Sequence, residues 1–410
     1  MKILFFSLFL PHPRADHAAA FCGFKLVEHL ARSHDVTVLS FVRSASEQQE
    51  TEALRQCCSR VETVILPSGF GTKVRSRLKL LSLTPIATSQ SYSREMACKL
   101  RALCAQETFD VLHAEYSPMG QYLAGSRLKC GTRALHVLDL LAPQMRNRAA
   151  HLPLSRRKLE YWLDAVLAPR YEARLCSLFD VVFAIAPRIR NELLAKRPGL
   201  NVVYVPPGVD LCPTPKQHDG RGKRLLFVGA MWREENVDAV LWFYHKVFPL
   251  IRAQVPEAML TIAGGSPTEE VRALSADPHV HVTGYVDALL PWYLASDVSI
   301  APVRIAGGVL CKILDAMAAG LPVITTSFGN DGVGAQPNKE ILVANTPEEF
   351  AAQAVRLLAN ADLRSRLASS GQDLVRRQFS KSSMLSRFES NYLRHLSDTQ
   401  PSPSRVHAWT

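Results

Sequence analysis

The sequence predicts an α/β protein made of two doubly wound domains that face each other across a cleft. Two observations carry that expectation. Short apolar runs alternate with longer amphipathic stretches along almost the whole chain, the pattern of parallel strands covered by helices on both faces. The alternation breaks once, at a proline-flanked polar stretch around Lys216–Lys223, and then starts again.

In the first domain, 1–210, Lys2–Phe9 reads as a strand, Ala18–Ser33 as a helix and Val36–Phe41 as a second strand. Strands are expected at Val61–Leu66, Val111–Ala114, Ala134–Leu138, Val181–Ala184 and Val202–Val205, with helices at Tyr92–Gln106, Arg156–Ser177 and Pro187–Lys196. Pro206, Pro207, Pro213 and Pro215 mark the break, so 211–223 reads as a linker. The second domain, 224–380, restarts at Leu225–Val228. Helix Val237–Gln254, strands Met259–Ala263, Val280–Thr283 and Val298–Ala301, helix Gly308–Ala319 and strand Val323–Thr325 follow. Helices Pro347–Asn360 and Asp362–Gln378 come next. A last helix, 381–396, sets Leu385, Phe388, Tyr392 and Leu396 on one stripe that would return to the first domain. The polar tail 397–410 is expected to be disordered.

Composition bounds the function. The chain has 410 residues, long enough for two cores, with 47% apolar and 21% charged residues, as in ordinary globular proteins. A net charge of +11 favours an anionic partner, although a solvated basic surface has the same arithmetic. The basic residues are scattered and form no nucleic-acid motif, so nucleic acid is not the expected partner. Nine cysteines without zinc-type spacing suggest free thiols in a reducing compartment. The apolar run Ile3–Leu10 is short for a signal peptide and is stopped by Pro11 and Pro13, so a buried strand explains it better. No apolar run approaches the ~20 residues of a membrane-spanning helix.

The segment 301–325 holds the main candidate chemistry. A strand ends near Pro302, a glycine-containing loop follows, and a helix begins near Gly308, whose free N–H groups suit a phosphate. Lys312 and Asp315 lie three residues apart and share a helix face. They could hold the diphosphate and ribose of a nucleotide, or form an ordinary surface ion pair; spacing leaves both open. In 225–251 a strand runs into Gly229, a loop carries Arg233, and Asn236 is expected to cap a helix. Gly264 and Gly265 end the next strand and permit close approach of a ligand, and Gly284 marks a similar turn before Tyr285 and Val286.

These segments in their order, FVGAMW…NVDAVLWF, LTIAGG, VTGYV, SDVSIAPVR and KILDAMAAGLPVITT, resemble the donor-binding domain of family 4 glycosyltransferases. That family comprises retaining enzymes with the GT-B fold of two Rossmann-like domains. The branch found in bacterial polysaccharide clusters is the nearest likeness. KILFFSLFLPHP, DVTVLSF, FDVLHAEYS and YVPPGVD resemble the family's N-terminal half, and the likeness spans residues 1–395.

The resemblance implies roles. Lys312 would contact the donor diphosphate, and Asp315 stands where the family has a Glu on the ribose hydroxyls. Gly229, Arg233 and Asn236 would line the phosphate site, with Gly264, Arg304 and Gly308 completing the donor set. Tyr285–Val286 would meet the nucleobase. His17 and Ala18 in the loop near Pro13–Ala20, with His136 and Asp139, would form the acceptor side. Lys312, Arg233 and Asp139 are the catalytic candidates: the departing diphosphate would help deprotonate the acceptor on the same face while cations meet its charge.

Four departures stand out. The family's E-x7-E pair is Gly307 and Asp315 here, Leu310 replaces an Arg usual in the nearest branch, and Leu141 occupies the place of an acceptor-side His. The loop after the first strand reads Asp16-His17-Ala18-Ala19-Ala20 instead of carrying paired glycines. No Asp-x-Asp pair occurs, so no metal and no cofactor beyond the nucleotide-sugar co-substrate is expected.

The acceptor implied is a glycan or a lipid-linked sugar. Lys73, Arg75, Arg77 and Lys79, interleaved with Val74, Leu78, Leu80 and Leu81, read as a contact for anionic lipid or as a solvated loop. The lipid reading places the protein in the cytoplasm, peripheral to the inner face of the membrane. Two other functions share these features: a non-catalytic nucleotide-sugar-binding relative, suggested by Gly307, Leu310 and Leu141, and a nucleotide-sugar epimerase on the same fold.

Overall fold

The computed structural model describes residues 1–13, 18–69, 71, 76–124, 128–150, 152–212, 222–304 and 309–398. The chain divides into two compact units. One is Met1–Val205 together with the chain from Leu385 onward; the other is Pro206–Met384. The first boundary therefore falls at Val205/Pro206 rather than after 210. The expected linker lies in part, at 213–221, outside the described residues.

The N-terminal unit carries seven parallel strands: β1 (Lys2–Ser7), β2 (Asp35–Val42), β3 (Arg60–Ile65), β4 (Phe109–Glu115), β5 (Cys130–Val137), β6 (Val181–Ala184) and β7 (Val202–Tyr204). Their order is β3-β2-β1-β4-β5-β6-β7, so the winding reverses between β1 and β4, where Ile3 pairs with Val111. β1 is apolar without alternation because both faces of the sheet are covered, and Ile3, Leu4, Phe5 and Phe6 are fully buried.

The C-terminal unit carries six parallel strands: β8 (Arg224–Val228), β9 (Met259–Ala263), β10 (Val280–Gly284), β11 (Val298–Ala301), β12 (Val323–Thr325) and β13 (Leu342–Val343). Their order is β10-β9-β8-β11-β12-β13, with the reversal between β8 and β11. Both units are Rossmann-like, and both place a crevice beyond the strand ends at the reversal, where ligands of such sheets bind.

Several helices differ from expectation for local reasons. The helix expected at Val237–Gln254 starts earlier, at Glu234, and passes through a π turn at Phe243–Val247 before ending at Arg252. The wider turn accommodates Pro249, whose ring and missing N–H would break a regular α ladder. The helix expected from Gly308 begins at Cys311 and ends at Ala318. The first helix closes at Leu30, not Ser33, and the one after β3 starts at Arg94 behind the capping Ser93. A helix at Leu141–Ala150 and strand β13 were not anticipated.

The final helix, Lys381–Asp398, buries Leu385, Phe388 and Tyr392 along the expected stripe. Its Glu389 pairs with His34 of the N-terminal unit at 2.8 Å.

Candidate functional site

In the C-terminal unit the two connections that leave the reversal point, after β8 and after β11, meet through side chains. Gly229 ends β8, and a Cβ there would fall 2.7 Å from Asn236 Nδ2 and 2.9 Å from Lys312 Nζ. A side chain there would displace one or both of these groups. Gly264, at the end of β9, has φ +152°, and a Cβ on it would sit 1.8 Å from the Gly229 carbonyl oxygen. These two close approaches are what the glycines are needed for.

Asn236 does not cap its helix as expected. Arg233 occupies the N-cap position without a side-chain cap, and Asn236 lies within the first turn, buried. Its side chain instead ties the site together. Nδ2 donates to the Ala230 carbonyl at 2.9 Å, and Oδ1 accepts from Lys312 Nζ at 2.6 Å. Lys312 also rests over the Phe227 ring, 4.2 Å from its centroid. No carboxylate neutralises it among the described residues, and the Lys312–Asp315 surface ion pair does not form. Burial pushes the Lys312 ammonium down to about 7; Glu235 opposes the shift and nearby Arg233 adds to it.

Asp315 follows three residues on and is half-buried. Its carboxylate makes no hydrogen bond or ion pair among the described residues. Burial, then the charge of Asp210, pushes it up to about 7. The site thus holds one cation and one carboxyl group that both titrate near neutrality, neither of them in an ion pair among the described residues. Buried groups in that state are the usual mark of a binding or catalytic site.

The other donor-side candidates fall around this pair unequally. Arg233 is partly exposed and ion-paired with Glu235 at 2.5 Å. Arg304 is engaged elsewhere: it grips Asp238 through two hydrogen bonds of 3.2 and 2.6 Å and stacks on Trp242. Tyr285 is exposed beside Gly265 in the turn after β10, and Val286 is half-buried. Leu310, at the place of an Arg usual in the nearest branch, packs against both apolar cores of this unit. Gly307 and Gly308 lie outside the described residues.

On the N-terminal side, His17 is likewise outside them, and Ala18 is placed only as the first residue of its helix. His136, expected on the acceptor side, is turned into the core. Its Nδ1 lies 3.0 Å from Glu115 Oε1 and Phe388 packs edge-on against its ring. Glu115 also meets His113 Nε2 at 2.8 Å, and His113 Nδ1 meets the Tyr392 hydroxyl at 2.7 Å. Among the described residues, His113, Glu115 and His136 are the group of three whose ligand-type atoms lie close enough to hold a metal. They hydrogen-bond one another beneath the final helix.

Asp139 does line a cavity. It has a volume of about 350 Å³ and lies beyond the ends of β1, β4 and β5, walled by Phe9, Tyr116, Asp139, Arg148, Tyr171 and Glu172 among others. Tyr116, one of its lining residues, adopts φ 82°, a strained conformation for a residue other than glycine. Glu172 accepts from the Leu141 amide at 3.0 Å, and burial, above all, pushes its carboxyl up to about 8. Gln144 donates to Asp139. Glu172, Gln144 and Arg148 were missed in the sequence. An acid among the apolar positions of Arg156–Cys176 was the available signal for Glu172; nothing marked the other two once their helix went unread.

Comparison with known proteins adds the following. Residues 24–212 match the family model described as Glycosyltransferase Family 4, and residues 222–360 the one described as Glycosyl transferases group 1. An uncharacterised 44.6 kDa protein from the cps region of Klebsiella pneumoniae is 23% identical over 371 residues, covering 88% of this chain and 91% of its own. A GDP-mannose-dependent alpha-(1-6)-phosphatidylinositol monomannoside mannosyltransferase of Mycobacterium tuberculosis is 28% identical over 271 residues, 59% of this chain and 69% of its own. Among solved structures, sucrose-phosphate synthase from Thermosynechococcus elongatus superposes with a TM-score of 0.70 at 16% identity, over 97% of this chain and all 100% of that one. Anabaena HepE in complex with UDP and glucose does so with a TM-score of 0.65 at 15% identity, over 95% and 99%. At these identities the solved structures establish the fold, which is GT-B.

Proposed function

The chain belongs to the family 4, group 1 glycosyltransferases, and on that premise we propose that it is a retaining hexosyltransferase that uses a nucleotide-sugar donor. Its acceptor is a glycan or a lipid-linked sugar, and its product feeds a surface polysaccharide or glycoconjugate. A relative from a cps region supports that setting. A relative named for a GDP-sugar and a fold neighbour holding UDP support the donor class. The protein works in the cytoplasm, in peripheral contact with the inner face of the membrane.

The observation that carries the reading is the Lys312–Asn236 tie across the reversal point, with Asp315 three residues on. A diphosphate brought to the start of helix Cys311–Ala318 supplies the negative charge that Lys312 lacks, and lifts its pKa from about 7 so that the ammonium stays charged. As the sugar–phosphate bond breaks, charge grows on the leaving oxygen. Lys312, Arg233 and the free N–H groups of that helix start meet it. Asp315 takes the ribose hydroxyls. No divalent metal is invoked. Catalysis here is charge stabilisation, and the leaving diphosphate assists deprotonation of the acceptor hydroxyl.

The test is transfer and hydrolysis with a panel of nucleotide sugars, beside nucleoside-diphosphate titration of the wild type and Lys312→Ala. A drop in turnover beyond any loss of donor affinity supports the assignment. Folded Lys312→Ala protein with unchanged affinity and turnover removes it.

A further inference from the structure

We propose that the N-terminal unit docks on an anionic lipid bilayer through an apolar patch built from the segment 77–83 and the helix Arg156–Cys176. Leu159, Trp162 and Val166 recur at helical spacing on that helix and are each more than half exposed. The neighbouring stripe is tied down. Glu160 accepts from Arg77 Nε at 2.8 Å, and Asp164 accepts from the amides of Ile86 and Ala87 at 2.6 and 2.9 Å. These bonds hold the segment along the helix, and it presents Leu78, Leu81 and Leu83 outward beside the first stripe. Leu81 is 88% exposed, and Leu154, just before the helix, 96%. Leu83 stands at φ 55°, a conformation unfavourable for leucine.

Seven large apolar side chains gathered in one region mark an interaction surface, whereas scattered ones would not. Charge selects the occupant. Arg156, Arg157 and Lys158 form one turn at the start of the patch helix, and its first half carries two acids, Glu160 and Asp164. Of these, Asp164 is buried and Glu160 is already paired with Arg77 and Arg156. A second copy of the chain would bring the same positive charge to the contact. An anionic bilayer offers the complement to both features, phosphates for the arginines and acyl chains for the leucines and Trp162. Lys73 and Arg75 lie outside the described residues and are not needed for the argument.

The helix Arg156–Cys176 serves both the patch and the 350 Å³ cavity. Ala87 and Gln90 line the cavity four or more residues beyond Leu83, and Tyr171 lies nine residues along the helix from Trp162, about 13 Å. A lipid-anchored acceptor could therefore offer its head group to the cavity without leaving the bilayer. This last step rests on the transfer reading; the docking does not.

The experiment is co-sedimentation of the full chain with phosphatidylglycerol-containing vesicles, with pure phosphatidylcholine vesicles as the neutral control. Binding is expected only to the anionic vesicles, weakening with salt. Leu81→Asp, Trp162→Asp and the pair Arg156→Glu with Arg157→Glu should each reduce it roughly tenfold or more, while Leu250→Asp, exposed in the other unit, leaves it unchanged. Circular dichroism and nucleoside-diphosphate titration should be wild-type in all of them. Equal binding to neutral vesicles, no binding to either, or anionic binding that survives the patch substitutions would overturn the proposal. So would a concentration-dependent dimer in sedimentation velocity that the same substitutions abolish. Vesicle binding without any sugar transfer would keep the docking and remove the enzymatic reading; transfer with patch-independent binding would do the reverse.

Discussion

Glu115 in the N-terminal unit and Asp315 in the C-terminal unit are both enclosed carboxyl groups near a sheet reversal, yet their surroundings push them in opposite directions. Burial alone would raise both. At Glu115 the charge of His136 and hydrogen bonds from His113 and His136 more than offset burial, and the carboxyl is held down at about 2. At Asp315 nothing offsets it, Asp210 adds repulsion, and the carboxyl rises to about 7. At Lys312 burial likewise prevails, with the opposite sign, over the opposing charge of Glu235. The difference separates architecture from site. A charge satisfied within the protein fixes a packing arrangement, here the seat of the final helix through Tyr392. A charge left unmatched is available to a ligand.

The largest test of this contrast is Glu115→Leu. It strands the ring N–H groups of two buried histidines, and should cost about 3–5 kcal/mol in urea denaturation while leaving donor affinity intact. A loss below about 1 kcal/mol would mean the network carries no structural weight. The sign of its pH dependence follows from the depressed carboxyl. Glu115 contributes fully above the ordinary value of 4.5, and its contribution is lost as pH falls from there through about 2.

Next in size is Lys312→Ala, which should lower turnover by about 10²- to 10³-fold with little change in unfolding free energy. A large stability loss with preserved turnover would reverse the two assignments.

A smaller effect sharpens the donor side. Free Lys312 loses its proton as pH rises through about 7, so nucleoside-diphosphate affinity should weaken above that pH, by up to about tenfold per unit. Titration from pH 6 to pH 9 measures it. Lys312→Arg, which stays charged, should flatten the slope; an unchanged slope would point to another group.

Smallest is Asp315→Glu. It should alter donor affinity by no more than about threefold, whereas Asp315→Ala should weaken it by about tenfold, because a charged-group hydrogen bond is worth roughly 1.5–3 kcal/mol. Equal effects of the two would show that the ribose does not meet this carboxylate.

Much of the candidate site is legible in the sequence. Gly229, Lys312 and Asp315 announce themselves through strand ends, a glycine and a shared helix face, all local features. Asn236 could be read only as a cap, because its true partner is 76 residues away. Arg304 was legible as a cation, but not its bidentate hold on Asp238, 66 residues distant. The resemblance puts His136 on the acceptor side because it lies near Leu141, the place of the family's His. In a sheet covered on both faces, alternation does not say which side chains meet the core.

What the sequence determined by itself was the alternation that builds two parallel sheets, the break between them, and the order of motifs that ties the chain to its family. Periodicity and turn chemistry act over a few residues and survive without a partner. What the tertiary structure alone decided was which charges are satisfied. Glu115 meets a histidine 21 residues on, and Tyr392 meets His113 from 279 residues away. Lys312 and Asp315 make no ion pair among the described residues. Pairing depends on distances in space between groups far apart in the chain, and in a low-dielectric interior those distances set whether a charge holds the fold or waits for a ligand.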